Sequence, residues 1–298
     1  MRSKIIIAVV IAACLLLCAA FAFLCPLRLE KPDEYTVYAT CFPVYAVCDM
    51  VLKDIPGLKL EMLLQPQADD LSAYSLSDWD IALLDSADVA VFAGSGLESF
   101  SEYWSNEKTI IVKLLSGLVL SRTNEKLEIL SNNEEADLSG VNPWLFMSPE
   151  GFADMAEALC ANMLAIDEEY SKEYYGNLSN ACERISVFSS ECEDMLKDCD
   201  LNENVAITHE GLMYLCEQLG LNAVLLCEDP DVQILKERGI KTVLADENTY
   251  YAIHSVLETN GIKVACLDML ISHTKEESYF ELMRKNVSEI ANVLKTGI

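Results

Sequence analysis

Histidine, a side chain well suited to binding zinc, is scarce in this chain. Histidine occurs only three times, at His209, His254 and His273. His209 stands beside Glu210 at the end of one apolar run, and Asp268 follows another. Imidazole and carboxylate groups are donors that divalent cations use in proteins. His254 lies in a helical pattern, where a packing or surface role is expected, and His273 lies in the loop after Asp268.

Further donors stand in other segments of the chain. Asp70 lies in a polar loop, Cys41 follows the first predicted strand, and Met147 lies in a Pro-bounded loop. Cys41 could offer a thiolate and Met147 a thioether. An oxygen-rich set of Asp70, Glu210 and Asp268 would suit manganese or calcium better than zinc.

Strand and helix patterns alternate along most of the chain, which predicts an α/β fold with mostly parallel sheets. A long helical pattern over 168–196 separates two such regions and is a candidate spine. We expect two βα lobes with mostly parallel sheets joined by this long spine helix, with ligand in the crevice at the carboxyl ends of the strands. The polar stretch 117–142 is predicted to be an irregular connection. The predicted domains are a signal or membrane anchor over 1–30, an N-terminal lobe over 31–148, a helical connection over 149–200 and a C-terminal lobe over 201–298.

The first thirty residues read as a leader that precedes the fold as a transmembrane or signal helix. Arg2 and Lys4 precede an uncharged apolar run over 5–24, and about twenty apolar residues suffice for a helix to cross a bilayer. Basic residues before the run favour a cytoplasmic N-terminus and an exported remainder in a bacterium. Three alternatives stay open: an uncleaved anchor, a lipoprotein in which the lipobox-like stretch 11–14 makes Cys14 the lipidated residue, or a fully released protein.

Charge and motif content exclude two classes of function. The formal net charge of −27 repels nucleic acid, so no nucleic-acid partner is expected. The sequence contains no G-x-S-x-G, no H-E-x-x-H and no phosphate-binding loop, so we do not expect an enzyme.

Short motifs over residues 36–296 occur in the order and at the spacing of a known family. They are Thr40-Cys41-Phe42-Pro43, Gly94-Ser95-Gly96-Leu97-Glu98, Asn142-Pro143, Thr208-His209-Glu210-Gly211 and Cys266-Leu267-Asp268-Met269-Leu270. With these motifs the chain resembles the extracytoplasmic solute-binding proteins of zinc and manganese ABC importers. The resemblance implies a metal ion held between two lobes and an ABC permease in the membrane as partner.

The resemblance also implies where four metal ligands would stand. His209 occupies the third position and Asp268 the fourth, whereas Ser72 and Trp144 occupy the first two, where the family carries histidine. An indole N–H has no available lone pair, and a neutral serine hydroxyl is a poor donor. We therefore expect binding of Zn²⁺ or Mn²⁺ to be weak or absent. The possible substitute ligands are Glu210, Asp70 and Cys41.

The sequence leaves two possible roles open for His209 and two for Trp144. His209 is either a metal contact or a helix-cap or core histidine, and Trp144 either fills the space of the lost imidazole and metal or stacks on an organic ligand. The leading functional hypothesis is a membrane-anchored substrate-binding protein of a metal-type ABC importer with two of four ligand positions substituted. The alternative is a receptor or scaffold that kept the fold and lost metal binding.

Overall fold

The computed structural model describes residues 34–64, 70–130, 140–227 and 231–295. By its internal contacts the chain divides after Tyr35, and Thr36–Ile298 is the compact second unit. The leader predicted over 1–30 lies outside the described residues. In the ranges just given, no helix is both long enough and apolar enough to cross a bilayer.

The N-terminal part of the second unit is built on a four-stranded sheet in the order β2–β1–β3–β4. Its strands are β1 (Tyr35–Ala39), β2 (Leu58–Met62), β3 (Val89–Phe92) and β4 (Ile110–Lys113). β1, β3 and β4 run parallel. Every side chain of β3 is buried, because its continuous apolar run suits a strand covered on both faces. The accompanying helices are α1 (Phe42–Val51), α2 (Asp78–Asp85) and the 3₁₀ turn Ser99–Glu102.

The C-terminal part is built on a five-stranded parallel sheet in the order β5–β7–β6–β8–β9. Its strands are β5 (Glu128–Leu130), β6 (Asn204–Ile207), β7 (Asn222–Leu226), β8 (Thr242–Asp246) and β9 (Lys263–Leu267). Its helices are the 3₁₀ turn Glu210–Leu212, α6 (Met213–Gln218), α7 (Val232–Glu237), α8 (Glu247–Thr259) and α9 (Tyr279–Leu294). Val243 and Ala245 of the sheet form one core with Ile253 and Leu257 of α8.

A helical layer connects the two sheets. Its elements are the 3₁₀ turns Leu145–Met147 and Glu168–Tyr170 and the helices α4 (Pro149–Ile166) and α5 (Ser171–Leu196). The ring of Phe152 in α4 stacks on Tyr279 of α9 at a centroid distance of 3.7 Å, and the Tyr279 hydroxyl donates to the Phe146 carbonyl at 2.9 Å. The predicted fold class, two parallel α/β lobes with a long connecting helix, is confirmed.

The structure differs from the sequence expectation in the stretch 117–142. The sequence predicts an irregular connection there, whereas the structure forms α3 (Thr123–Lys126) and β5, and β5 pairs in parallel with β7 of the second sheet. A strand of three residues is too short to show a periodic pattern, so its pairing is decided by tertiary contacts. The predicted lobe boundaries stay predictions, although β5 lies within the range predicted for the first lobe.

Candidate functional site

A cavity of about 380 Å³ opens where loops of the two sheets meet. Its polar and aromatic lining comes from four separate parts of the chain. The cavity is lined by Asp70, Ser72, Trp144, His209, Glu210 and Asp246, among others. A second cavity of about 300 Å³ shares Asp246, Asn248 and Met269 with the first and is lined also by Asp268.

Three of the polar residues stand at the carboxyl ends of adjacent parallel strands. β6, β8 and β9 are neighbours in the sheet; His209 follows β6, Asp246 ends β8 and Asp268 follows β9. The sheet therefore brings His209 and Asp268 to the same carboxyl-terminal end of the strands, with Asp246 at the end of the strand between them. Such an edge is where open α/β sheets bind ligands.

His209 is held by a hydrogen bond that decides its chemistry. It is the N-cap of the turn Glu210–Leu212, and its Nδ1 accepts from the Gly211 N–H at 3.0 Å. Nδ1 therefore carries no proton, and the proton of the neutral ring lies on Nε2. Burial lowers the pKa of His209, opposed in part by the nearby carboxylates, first among them Asp246. The neutral ring consequently offers an N–H donor through Nε2.

This arrangement is the reverse of that of most metal-binding histidines. A ligating imidazole usually donates its other ring N–H to a carbonyl or carboxylate. Nε2 of His209 can bind a metal only if it loses its proton. The ring could move that proton to Nδ1, which would break the hydrogen bond from Gly211, or it could lose the proton altogether and become an imidazolate anion. Both alternatives weaken binding.

Trp144 packs against His209 from the loop that precedes α4. The two ring centroids lie 4.6 Å apart at an interplanar angle of 78°, and the indole also contacts Phe146. Gly211 makes room for it: an added Cβ there would lie 2.8 Å from Trp144 Cδ2 and 2.6 Å from Met269 Cε. The absence of a side chain at Gly211 thus allows the indole to cover the His209 turn.

Asn142 ties the Trp144 loop to the His209 turn. Its Oδ1 accepts from the Trp144 N–H at 3.0 Å, and its Nδ2 donates to the Glu210 carbonyl at 2.8 Å. The Glu210 side chain is fixed separately, since its Oε2 accepts from the buried Thr123 hydroxyl at 2.6 Å. Its position on the cavity wall is therefore set by hydrogen bonds to two other segments.

The first-lobe loop is shaped by Asp70. Its Oδ1 accepts from the backbone and the hydroxyl of Ser72 at 2.9 and 2.7 Å and from the Ala73 N–H at 3.2 Å. The Ser72 hydroxyl bond is the first cause of a lowered pKa at Asp70. The hydroxyl of Ser72 is thus used within its own loop, and Asp70 is an ionised cavity carboxylate near neutral pH.

Asp268 has its own partner for each carboxylate oxygen. Oδ2 lies 2.7 Å from His273 Nε2, and Oδ1 accepts from the Leu270 N–H at 2.7 Å. His273 Nδ1 in turn lies 3.1 Å from Glu277 Oε1. Burial alone would raise the pKa of Asp268, but the bonds from His273 and Leu270 outweigh it and the net shift is downward. The imidazole of His273 therefore contacts the Asp268 carboxylate where a metal ion would otherwise bind it.

Cys41 is not brought to the cavity. It is buried at the start of α1, beside the buried carboxyl of Glu98, with the two side chains 3.8 Å apart. Burial, and then the charge of Glu98, raises the pKa of Cys41 well above its ordinary value. A thiolate is disfavoured there, so Cys41 is a packing residue in this structure.

Asp246 and Asn248 also line the cavity, although neither is predicted from the sequence as a site residue. Asp246 caps α8 by accepting from the Thr249 N–H at 3.1 Å, and its Oδ2 accepts from the Thr208 hydroxyl at 2.9 Å. A carboxylate between the buried run 242–245 and a helix is the signal that could have found it, since it marks the end of a parallel strand.

The donors that the described part of the chain places at the cavity do not fit a tightly bound divalent cation. Among the described residues, no three His, Cys, Asp or Glu side chains are grouped so as to hold a metal ion. Trp144 and Ser72 offer no strong donor, His209 presents the wrong tautomer, and Asp268 is already paired. The cavity is polar and acidic, but it does not form a metal-coordinating cage.

Comparison with known proteins places this geometry in a family. The family model described as "Zinc-uptake complex component A periplasmic" matches residues 37–293. No curated protein sequence matches the chain.

Solved structures share the fold at low sequence identity. A Zn(II)-bound variant of AdcAII from Streptococcus pneumoniae is 18% identical with a TM-score of 0.73, over 88% of this chain and 99% of that one. The SBP FpvC from Pseudomonas aeruginosa in complex with Ni²⁺ is 18% identical with a TM-score of 0.71, over 89% and 99%. FpvC in complex with Mn²⁺ is 19% identical with a TM-score of 0.70, over 88% and 98%.

The family model spans both sheets and the helical layer between them, in agreement with the resemblance expected from the motifs. The chain belongs to the family of extracytoplasmic solute-binding proteins of zinc and manganese ABC importers.

Proposed function

We propose that this protein is the membrane-anchored solute-binding component of an ABC importer and that divalent metal ions bind weakly or not at all in its cavity. The observation that carries the proposal is the polar cavity at the carboxyl ends of β6 and β8, closed on its other side by the loop of Asp70 and Ser72. Membership of the family supports an importer as the partner, and the apolar run over 5–24 supports the anchor.

Weak metal binding is expected from the residues at the predicted ligand positions. Two of the four expected donors survive, His209 and Asp268, and each already has an internal partner. The substitutes Glu210 and Asp70 line the cavity, but each uses one oxygen in a hydrogen bond within the protein. Zinc prefers four N, S or O donors at short distance, which this set does not provide.

Two measurements on the full-length protein in detergent test the proposal. Calorimetric titration with Zn²⁺ and Mn²⁺ is expected to give little heat and little change in melting temperature, because a ligand stabilises the folded protein appreciably only when its concentration exceeds its Kd. Affinity purification from the native membrane is expected to recover an ABC permease. Sub-micromolar binding of either ion would contradict the metal part of the proposal.

The alternative is a receptor or scaffold without cargo. The internal pairing of Asp268 with His273 favours it, since a carboxylate that would bind cargo is satisfied within its own lobe. Recovery of a membrane partner other than a permease would support this alternative and contradict the importer.

A further inference from the structure

The strands at the edges of the two described sheets differ in what they expose. These edge strands are β2 and β4 in the first sheet and β5 and β9 in the second. The exposed side chain is charged in three of them, namely Lys59 in β2, Glu128 in β5 and Lys263 in β9. β4 instead exposes two aliphatic side chains, Ile110 at 45% and Ile111 at 38%. Because exposed charges keep a further strand from pairing with an edge, β4 is the least protected of the four.

The backbone of β4 also offers hydrogen-bonding groups on its outer side. The Ile110 N–H donates to the Asp88 carbonyl at 2.9 Å, and the Leu114 N–H donates to the Phe92 carbonyl at 2.9 Å. Backbone groups of successive residues in a strand point to opposite sides, so the N–H and C=O of Ile111 point away from β3. They are a donor and an acceptor that a further strand can pair with.

The charge of this segment differs from the charge of the whole chain. The formal net charge is −27, whereas the stretch 108–122 contains Lys108, Lys113 and Arg122 and no acidic residue. The charge of Lys113, which lies in β4, is paired with Glu102 at 2.9 Å. Two such acidic molecules repel each other through most of their surfaces. At the β4 edge, the strand itself brings no carboxylate against another.

From these observations we infer that the β4 edge is an interface between two copies of this chain, in which the two β4 strands pair antiparallel about Ile111. Such a pair has two-fold symmetry, so assembly stops at two copies. Ile111 then stands opposite Ile111 of the second copy and exchanges two backbone hydrogen bonds with it, and Ile110 stands opposite Val112 of the second copy.

This pairing covers the two exposed isoleucines and joins two four-stranded sheets into one of eight strands. Burial of apolar surface and the new backbone hydrogen bonds are the favourable contributions. No residue of β4 lines either of the two cavities described above, so the interface leaves the candidate site open in both copies. The inference therefore does not depend on the proposed function.

Sedimentation velocity of the full-length protein in detergent, over a series of protein concentrations, tests the inference. We expect a monomer at low concentration, a dimer at high concentration and no larger species. Added salt should favour the dimer, because it screens the repulsion between two acidic molecules. A protein that stays monomeric up to roughly 0.1 mM at both low and high salt would overturn the inference, as would a series of species larger than the dimer.

Two substitutions at Ile111 assign the dimer to β4. Ile111→Lys places like charges opposite each other at the symmetry axis, and Ile111→Pro removes the outward N–H while leaving the bonds to β3. Each is expected to weaken the dimer about tenfold or more. If the proline variant has a lowered melting temperature, the lysine variant alone decides.

The control is Val256→Lys, which adds the same charge at an exposed aliphatic position of α8 in the other sheet's helical cover. It should dimerise like the wild type. A dimer that survives Ile111→Lys, or that Val256→Lys weakens equally, would overturn the assignment to β4.

Discussion

The backbone N–H of Gly211 donates a 3.0 Å hydrogen bond to Nδ1 of His209, so the histidine that the resemblance predicts to be the third metal ligand caps the turn Glu210–Leu212. One such bond fixes the ring and assigns its proton to Nε2. His209 is thus a residue type that can bind a metal, but its Nε2 carries the proton that a metal ligand must lack.

Histidines at the two predicted ligand positions that Ser72 and Trp144 occupy should raise the metal affinity. The double variant Ser72→His with Trp144→His adds two nitrogen donors beside the cavity, and we expect its zinc affinity to rise by on the order of tenfold or more. Calorimetric titration with Zn²⁺ measures this. The control is Ser72→Ala with Trp144→Phe, which removes the same side chains without adding donors. A gain that is equal in the control would show that removal of the indole, and not the new imidazoles, is responsible.

Removal of the His273 side chain should destabilise the protein. Its ring bridges Asp268 at 2.7 Å and Glu277 at 3.1 Å and contacts Phe42 at a centroid distance of 5.2 Å. We expect His273→Ala to lower the free energy of unfolding by about 1–3 kcal/mol, as is usual for charge-assisted hydrogen bonds. Urea denaturation measures the loss. His254→Ala is the control, because that ring makes one backbone contact and stacks on Tyr250, and a smaller loss is expected.

The stabilisation by this pair should depend on pH in a defined window. Burial alone would lower the pKa of His273, but Asp268 outweighs burial and the net pKa is raised above 6.5, while the pKa of Asp268 is lowered below 3.8. The histidine contribution is full below its unfolded pKa and is lost as pH rises through the folded pKa. The aspartate contribution is full above its unfolded pKa and is lost as pH falls through the folded pKa.

The difference in unfolding free energy between the wild type and His273→Ala should therefore be greatest between about pH 4 and pH 6.5. Denaturant titrations at a series of pH values measure it. A difference that grows steadily above neutral pH would contradict the ion pair.

An alanine at Gly211 should disturb the cavity wall. Its Cβ would lie 2.6 Å from Met269 Cε and 2.8 Å from Trp144 Cδ2, so side chains must move. We expect Gly211→Ala to cost about 1–3 kcal/mol, the usual cost of overpacking, and to change the fluorescence of Trp144. The control is Gly176→Ala on α5, where an added Cβ meets nothing within 4 Å and should stabilise the helix slightly. Equal effects of the two substitutions would contradict close packing at Gly211.

The buried carboxyl of Glu98 should be essential to the loop after β3. It accepts from the N–H groups of Ala93 and Gly94 at 3.0 and 2.8 Å and from the hydroxyl of Thr40. Glu98→Gln replaces one carboxylate oxygen with an NH₂ group. That group is a donor and would face the backbone N–H donors, so at least one hydrogen bond is lost. We expect a loss of about 2–4 kcal/mol in urea denaturation. Glu102→Gln, whose side chain is exposed, is the control and should leave stability almost unchanged.

Much of the architecture could be predicted from local patterns. The run Val-Ala-Val-Phe predicts a buried strand, and the apolar stripe between residues 168 and 196 predicts a long helix, because these periods reflect which faces are buried. β5 could not be found in this way, since a three-residue strand is defined by its partner β7 and not by a period of its own.

For the site, the sequence alone determined which side chains are available. Through the resemblance to the family, it predicts that Ser72 and Trp144 stand where the family carries histidine and that His209 and Asp268 remain. Only the tertiary structure decided what those survivors do: Gly211 sets the tautomer of His209, and His273 pairs with Asp268. It also placed Asp246 between them at the sheet edge. The physical reason is that residue type is a property of one position, whereas protonation, pairing and charge at a cavity depend on neighbours distant in the chain.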